Sequence, residues 1–183
     1  MKESTSTKEL IRDTLQKLLE EKDYAEISMK EIAKRANVGR RTLYRYFGTK
    51  GDIVRFMADS VMDEFAEALL LQGAENLEET TDVYFSFWEK NAEVFRCLDR
   101  SHLLYCIEDH LSEYIMQVAL KTKLKDSGME DGQVFSEIPK ERLYDFYFKI
   151  AGYWELTKRW MREENRSTPV EISSLVVKIL TER

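Results

Sequence analysis

Between residues 50 and 71 apolar side chains return every fourth position in two adjoining stripes, Ile53, Met57, Val61, Phe65 and Leu69 beside Val54, Ala58, Met62 and Ala66. That period belongs to an α-helix and not to a strand, and a helix with two apolar stripes needs two partners. Its surroundings read the same way. Of 183 residues only two are proline and seven glycine, and no segment alternates apolar and polar residues as a half-buried strand would. The expected fold is all-α, with helices at about 7–22, 28–36, 40–47, 50–71, 79–98, 101–123, 139–164 and 169–182 and a break near Asn91. Ser6 with Glu9 and Ser28 with Glu31 read as capping boxes, Thr49 as the cap of the long fourth helix, and Thr168, Pro169 and Glu171 as the start of the last. Residues 125–138 hold two glycines and no period, which predicts a loop.

Several function classes fall away early. No run of about 18 apolar residues exists to span a bilayer. The opening residues MKESTSTKEL lack the apolar core of a signal peptide, so a cytoplasmic location is expected, with Cys97 and Cys106 reduced. No nucleophile–base pair or glycine-rich phosphate loop points to an enzyme, and no cofactor is implied.

Charge is distributed unevenly. The first 50 residues hold 12 Lys and Arg against 8 Asp and Glu, while the remainder holds 16 against 26. Within residues 28–50, Lys30, Lys34, Arg35, Arg40, Arg41, Arg45 and Lys50 face Glu31 alone. The stretch GRRTLYRYFGTKGD, residues 39–52, adds three aromatics and three glycines to four of those cations. A basic module precedes an acidic body, and such a module is the electrostatic footprint of a nucleic-acid site.

Asn37, Val38 and Gly39 form a three-residue turn between two short helices, with Asn37 able to adopt the left-handed conformation that a sharp reversal needs. Leu43 and Phe47, one turn apart, give the second short helix its inward face, which turns Arg40, Arg41, Thr42, Arg45 and Tyr46 outward. This is the pattern of a helix-turn-helix, whose second helix enters the major groove. Arginine matches the two acceptors of guanine, so Arg40, Arg41 and Arg45 are candidate base readers. Tyr44 and Tyr46 offer hydroxyls to phosphate or a ring to a thymine methyl. Lys50 and Ser28 stand at helix amino ends, where phosphate is favoured.

Residues 28–53, SMKEIAKRANVGRRTLYRYFGTKGDI, closely resemble the amino-terminal signature of the TetR family of bacterial transcriptional regulators, through Glu31-Ile32-Ala33, Ala36, Val38, Thr42-Leu43-Tyr44, Tyr46-Phe47, Lys50 and Ile53. Two positions depart from it: Asn37 replaces a glycine, and Gly39 replaces a serine or threonine, removing a hydroxyl that family members could aim at phosphate. The resemblance implies an amino-terminal three-helix DNA-binding domain, residues 1–50, joined to a larger helical effector-binding and dimerisation domain, residues 51–183. It implies a homodimer that binds double-stranded DNA at a palindromic operator, acts as a repressor, and is released by a small hydrophobic effector; the double stripe from Ile53 to Leu69 makes the fourth helix the expected link, tilted when the effector binds. The alternative is a DNA-binding protein controlled by a partner protein.

In the body, the helix at 139–164 carries two apolar faces and the last helix a matching one, which makes Tyr153, Trp154, Trp160, Leu175, Val176 and Ile179 candidates for a two-subunit four-helix interface. Met57, Met62, Phe65, Phe85, Trp88, Tyr105 and Met116 are adaptable or flat apolar groups that suit a pocket. His102, Cys106 and His110 recur every four residues and invite a zinc reading, but no fourth ligand accompanies them and no metal site is assigned. Effector, operator, regulated genes and the direction of regulation are not written in the sequence.

Overall fold

A computed structural model describes residues 6–72, 76–108, 111 and 139–182. Its elements are α1 (Thr7–Glu21), a 3-10 turn (Tyr24–Glu26), α2 (Met29–Arg35), α3 (Arg40–Tyr46), α4 (Lys50–Gln72), α5 (Leu77–Lys90), α6 (Ala92–Arg100), α7 (Lys140–Arg162) and α8 (Pro169–Thr181). Among the described residues there is no strand, and no helix is long and apolar enough to cross a membrane.

The caps explain where the helices begin. Ser6 Oγ accepts from the Glu9 amide at 3.2 Å while the Glu9 carboxylate accepts from the Ser6 amide at 2.6 Å. Thr49 and Asp52 make the same reciprocal pair at α4, at 3.2 and 2.8 Å. Thr168 and Glu171 repeat it at α8, with Pro169 in the first turn. At α2 the box is only half formed. Ser28 Oγ accepts from the Glu31 amide, but the Glu31 carboxylate instead accepts a hydrogen bond from Lys22 Nζ at 2.5 Å, trading a local cap for a tie to α1. Asn76 accepts from the Glu79 amide, so α5 starts at Leu77, ahead of the apolar pattern. The expected break falls at Asn91, whose amide and side chain both donate to Phe87 O at 3.0 Å and separate α5 from α6.

The helix expected over 101–123 starts later. His102 stands in the left-handed conformation, φ 56°, with its amide on Asp99 O and the Leu103 amide on Leu98 O, which ends α6 with a Schellman turn. His102 therefore belongs to a turn and shares no helix with Cys106, so the four-residue spacing behind the zinc reading does not line up. Among the described residues no group of His, Cys, Asp and Glu could hold a metal ion. His110, Met116 and the 125–138 loop lie outside the described residues.

Contacts divide the chain into two compact units, Met1–Val61 with Glu93–Ile107, and Met62–Ala92 with Glu108–Arg183. The double stripe of α4 thus supplies Ile53, Val54, Met57, Ala58 and Val61 to the first core and Met62 and Phe65 to the second, all buried. In the first unit α1 is tied to α2 by Lys22–Glu31 and by Arg35, whose two terminal nitrogens bind the two carboxylate oxygens of Glu21. Arg100 of α6 donates to Leu19 O near the end of α1.

The second unit is centred on Tyr84. Its ring lies 5.6 Å from Phe65, 5.1 Å from Phe85 and 5.1 Å from Tyr153. Trp88 and Trp154 lie 5.3 Å apart alongside. Hydroxyls thread this cluster. Thr157 Oγ1 donates to Tyr84 Oη at 2.9 Å, Thr81 Oγ1 and Tyr153 Oη are 2.6 Å apart, and burial pushes the Tyr84 phenol well above its ordinary range. Between α7 and α8, Arg166 grips both Glu89 oxygens at 2.7 and 2.8 Å and lies over Trp160, whose indole donates to Ser167 O.

Candidate nucleic-acid interface

The reversal between α2 and α3 comes first. Asn37 has φ 53°, its amide donates to Lys34 O, and the Val38 amide donates to Ala33 O at 3.0 Å. This Schellman turn uses asparagine where glycine is commonest, because a short polar side chain tolerates the left-handed region. Gly39 then caps α3 through its backbone alone, at φ −64°, a conformation open to any residue.

On α3 the only buried residue is Leu43, at 0% exposure, with Phe47 at the helix end packed 5.6 Å from the Phe56 ring. Docking through Leu43 and Phe47 leaves Arg40, Arg41, Tyr44 and Arg45 exposed and Thr42 and Tyr46 half-buried. Arg45 is held: its guanidinium carbon sits 4.9 Å from the Tyr46 ring centroid and Nη2 donates to Tyr46 Oη at 3.2 Å. A cation held in one direction loses less side-chain freedom on meeting a duplex.

Ser28 is exposed at the start of α2, and with Lys30, Glu31, Lys34 and Arg35 it lines an open recess of about 440 Å³. Lys30 and Lys34 extend the basic surface beyond the residues expected from α3, and their place on α2 was visible in the local charge run. Arg35 belongs to the same run, yet its fork is engaged by Glu21.

Lys50 stands differently from its expectation as a phosphate ligand. Its ammonium turns onto the 3-10 turn, donating to Tyr24 O, to Ile27 O at 2.9 Å and to Ala25 O at 3.5 Å, with the Tyr24 ring centroid at 4.1 Å. Desolvation there lowers its pKa. The neighbouring Asp52 carboxyl is held below its usual range by the Thr49 amide and hydroxyl, then by Arg55.

The remaining candidates are scattered. Met57 is buried in the first unit, and Met62, Phe65, Phe85 and Trp88 are buried in the second. Tyr105 is 55% exposed. Of the interface candidates, Trp154, Trp160 and Val176 are buried within the subunit, Tyr153 is half-buried, and Leu175 and Ile179 are 52% and 59% exposed. A second open recess, of about 250 Å³, is lined by Glu20, Glu93, Arg96, Cys97 and Arg100, none of them an expected pocket residue.

Residues 11–56 match the family described as bacterial regulatory proteins, tetR family, and residues 75–182 match a transcriptional regulator C-terminal region. An uncharacterized HTH-type transcriptional regulator of Bacillus subtilis (strain 168), YxbF, is 22% identical over 94% of this chain. The chain spans 44% of that relative's length. Lin0861 from Listeria innocua has the same fold at a TM-score of 0.73 and 17% identity, over 95% of this chain and 88% of that one. A TetR transcriptional regulator from Streptococcus agalactiae 2603V follows at 0.64 and 20% identity, over 95% and 93%.

Proposed function

Because the chain belongs to the TetR family of bacterial transcriptional regulators, we propose that it is a cytoplasmic repressor that binds a palindromic operator as a homodimer. A small hydrophobic effector releases it. The carrying observation is the α3 surface, where a helix anchored by one buried leucine holds Arg40, Arg41, Tyr44 and Arg45 out to solvent. Arg45 and its neighbours read base edges, while Ser28, Thr42, Tyr44 and Tyr46 contact the backbone. Residues 1–50 form the DNA-binding part, and residues 51–183 sense the effector and pair the subunits.

The exposed Leu175 and Ile179, with Val170, support pairing through α8. Two-fold symmetry would then set the recognition helices about 34 Å apart, one on each of two successive major-groove turns. The effector enters the core of the second unit, near Met62, Phe65, Phe85 and Trp88. In the same unit Ser173 Oγ is fully buried without a hydrogen-bond partner among the described residues, which supports a ligand bearing a polar group.

Selection of bound fragments from a random duplex pool tests the reading. The parent should enrich a palindrome, and Arg45→Ala should relax preference at one base pair per half-site, costing about 1–3 kcal/mol there. A pool without enrichment, or identical selections by both proteins, would reject it.

A further inference from the structure

Of the arginines on α3, Arg40, Arg41 and Arg45, the last is given a direction by its neighbour. Successive helix positions point about 100° apart, so the contact between Arg45 and Tyr46 forms because the long arginine side chain bends back across the ring. There its guanidinium carbon lies 4.9 Å from the ring centroid and Nη2 donates to Tyr46 Oη at 3.2 Å. Among the described residues no carboxylate engages Arg45. A guanidinium carries five N–H donors in a rigid planar arrangement, and Nη2 contributes one proton to the fork it shares with Nη1 and one to the fork it shares with Nε. The proton given to Tyr46 therefore occupies one fork and leaves the other whole. The tyrosine hydroxyl accepts in this contact, which leaves its own proton for the backbone contact already assigned to it.

We propose that Tyr46 is a positioning residue for base readout: its ring and hydroxyl aim the free fork of Arg45 at O6 and N7 of a guanine, so the hydroxyl sets a preference for G·C without touching a base. This rests on the DNA-binding reading above and adds the base that Arg45 selects and the side chain that enforces the choice. Guanine presents two acceptors side by side in the major groove, which a guanidinium fork meets with two parallel N–H groups, whereas adenine presents an acceptor beside a donor. That distinction depends on orientation. A guanidinium free to swing reaches a phosphate, or adenine N7 with one N–H, and gains affinity without preference. Tyr46 is itself half-buried, one residue before the Phe47 that anchors the helix end against Phe56, so the platform is steadier than the exposed arginine it carries.

The test uses the duplex that the parent enriches from the random pool, and a second duplex in which A·T replaces G·C at the pair where Arg45→Ala loses preference. Fluorescence anisotropy at one salt concentration gives the affinity ratio between the two duplexes for the parent, Tyr46→Phe, Arg45→Ala and the double variant. The parent should favour G·C by about 5- to 150-fold. Tyr46→Phe keeps the ring and loses the hydroxyl, and its ratio should fall several-fold. In the Arg45→Ala background the same change should leave the ratio where it is. Loss of a phosphate contact alone weakens both duplexes alike, so an unaltered ratio in Tyr46→Phe overturns the proposal in favour of a backbone role. A ratio that falls equally with and without Arg45 overturns it in favour of direct readout by Tyr46. A pair other than G·C at the position that depends on Arg45 overturns it as well. If Tyr46→Phe does not fold, nitrogen-15 relaxation of Arg45 Nε in the free parent decides: an order parameter above about 0.6 supports a held guanidinium, and a lower one overturns it. A parent that enriches no duplex rejects the DNA-binding reading itself, and is told apart from the other failures because no ratio then exists to compare.

Discussion

Leu43→Ala should detach the recognition helix. Leu43 is fully buried and is the only buried residue of α3. Seven residues are too few to hold a helix in water unaided, so the folding of α3 depends on its docking. The substitution removes three carbons, worth about 2.4 kcal/mol at about 0.8 kcal/mol each. The cavity left behind puts the total in the range of about 2–5 kcal/mol. For a unit of 60–100 residues each kcal/mol moves the melting temperature by about 4–8 °C, so a fall of at least about 10 °C is expected in the unit that contains α3. Trp88, Trp154 and Trp160 all lie in the other unit, which separates the readouts. Far-UV circular dichroism and duplex affinity should both fall, while tryptophan emission at low temperature stays that of the parent. A melting shift under about 3 °C with undiminished duplex binding would refute the claim that α3 is held through this side chain.

Three further outcomes follow from the same structure. Asn37→Val places a β-branched residue at φ 53° and should cost about 1–2 kcal/mol in denaturant unfolding, whereas Asn37→Gly should be close to neutral. The Tyr84 phenol binds its proton more tightly folded than unfolded. Its contribution is complete below the unfolded value near 10 and is lost as pH rises through that value towards the folded one. Urea melts should therefore show stability falling as pH rises through about 10, less steeply in Tyr84→Phe. The double variant Leu175→Glu with Ile179→Glu should sediment as a folded monomer and bind duplex about 10²- to 10⁴-fold more weakly through lost bivalency. A dimer that survives would move the pairing surface elsewhere.

The helices were legible wherever the apolar period and a cap agreed. Ser6–Glu9, Thr49 and Thr168–Glu171 mark starts that the structure realises as reciprocal side-chain and backbone bonds, because all the atoms involved lie within three residues of each other. Ser28–Glu31 has the same spelling and closes only half the box, because Lys22, nine residues away in the chain, competes for the Glu31 carboxylate. His102 shows a related limit. A four-residue spacing counts as one helix face only if the helix is unbroken, and a left-handed residue that ends α6 carries no strong signal when it is histidine rather than glycine.

The same contrast governs the candidate site. The outward set on α3 could be read because Leu43 and Phe47 alone fix which way so short a helix faces, and solvent takes what they leave. Counting charge was less reliable, since charge acts on a distant phosphate only if nothing nearer engages it. Of the seven cations between residues 30 and 50, Arg35 is forked onto Glu21 and Lys50 is seated on the carbonyls of the turn before α2. Both partners come from segments that only the closed chain brings near. Within the basic run Arg35 and Lys50 are engaged by partners inside the module, whereas Lys30, Lys34, Arg40, Arg41 and Arg45 are exposed. A family signature spells both kinds of residue alike, so the contacts of Lys50 with Tyr24, Ala25 and Ile27 could not be read from it.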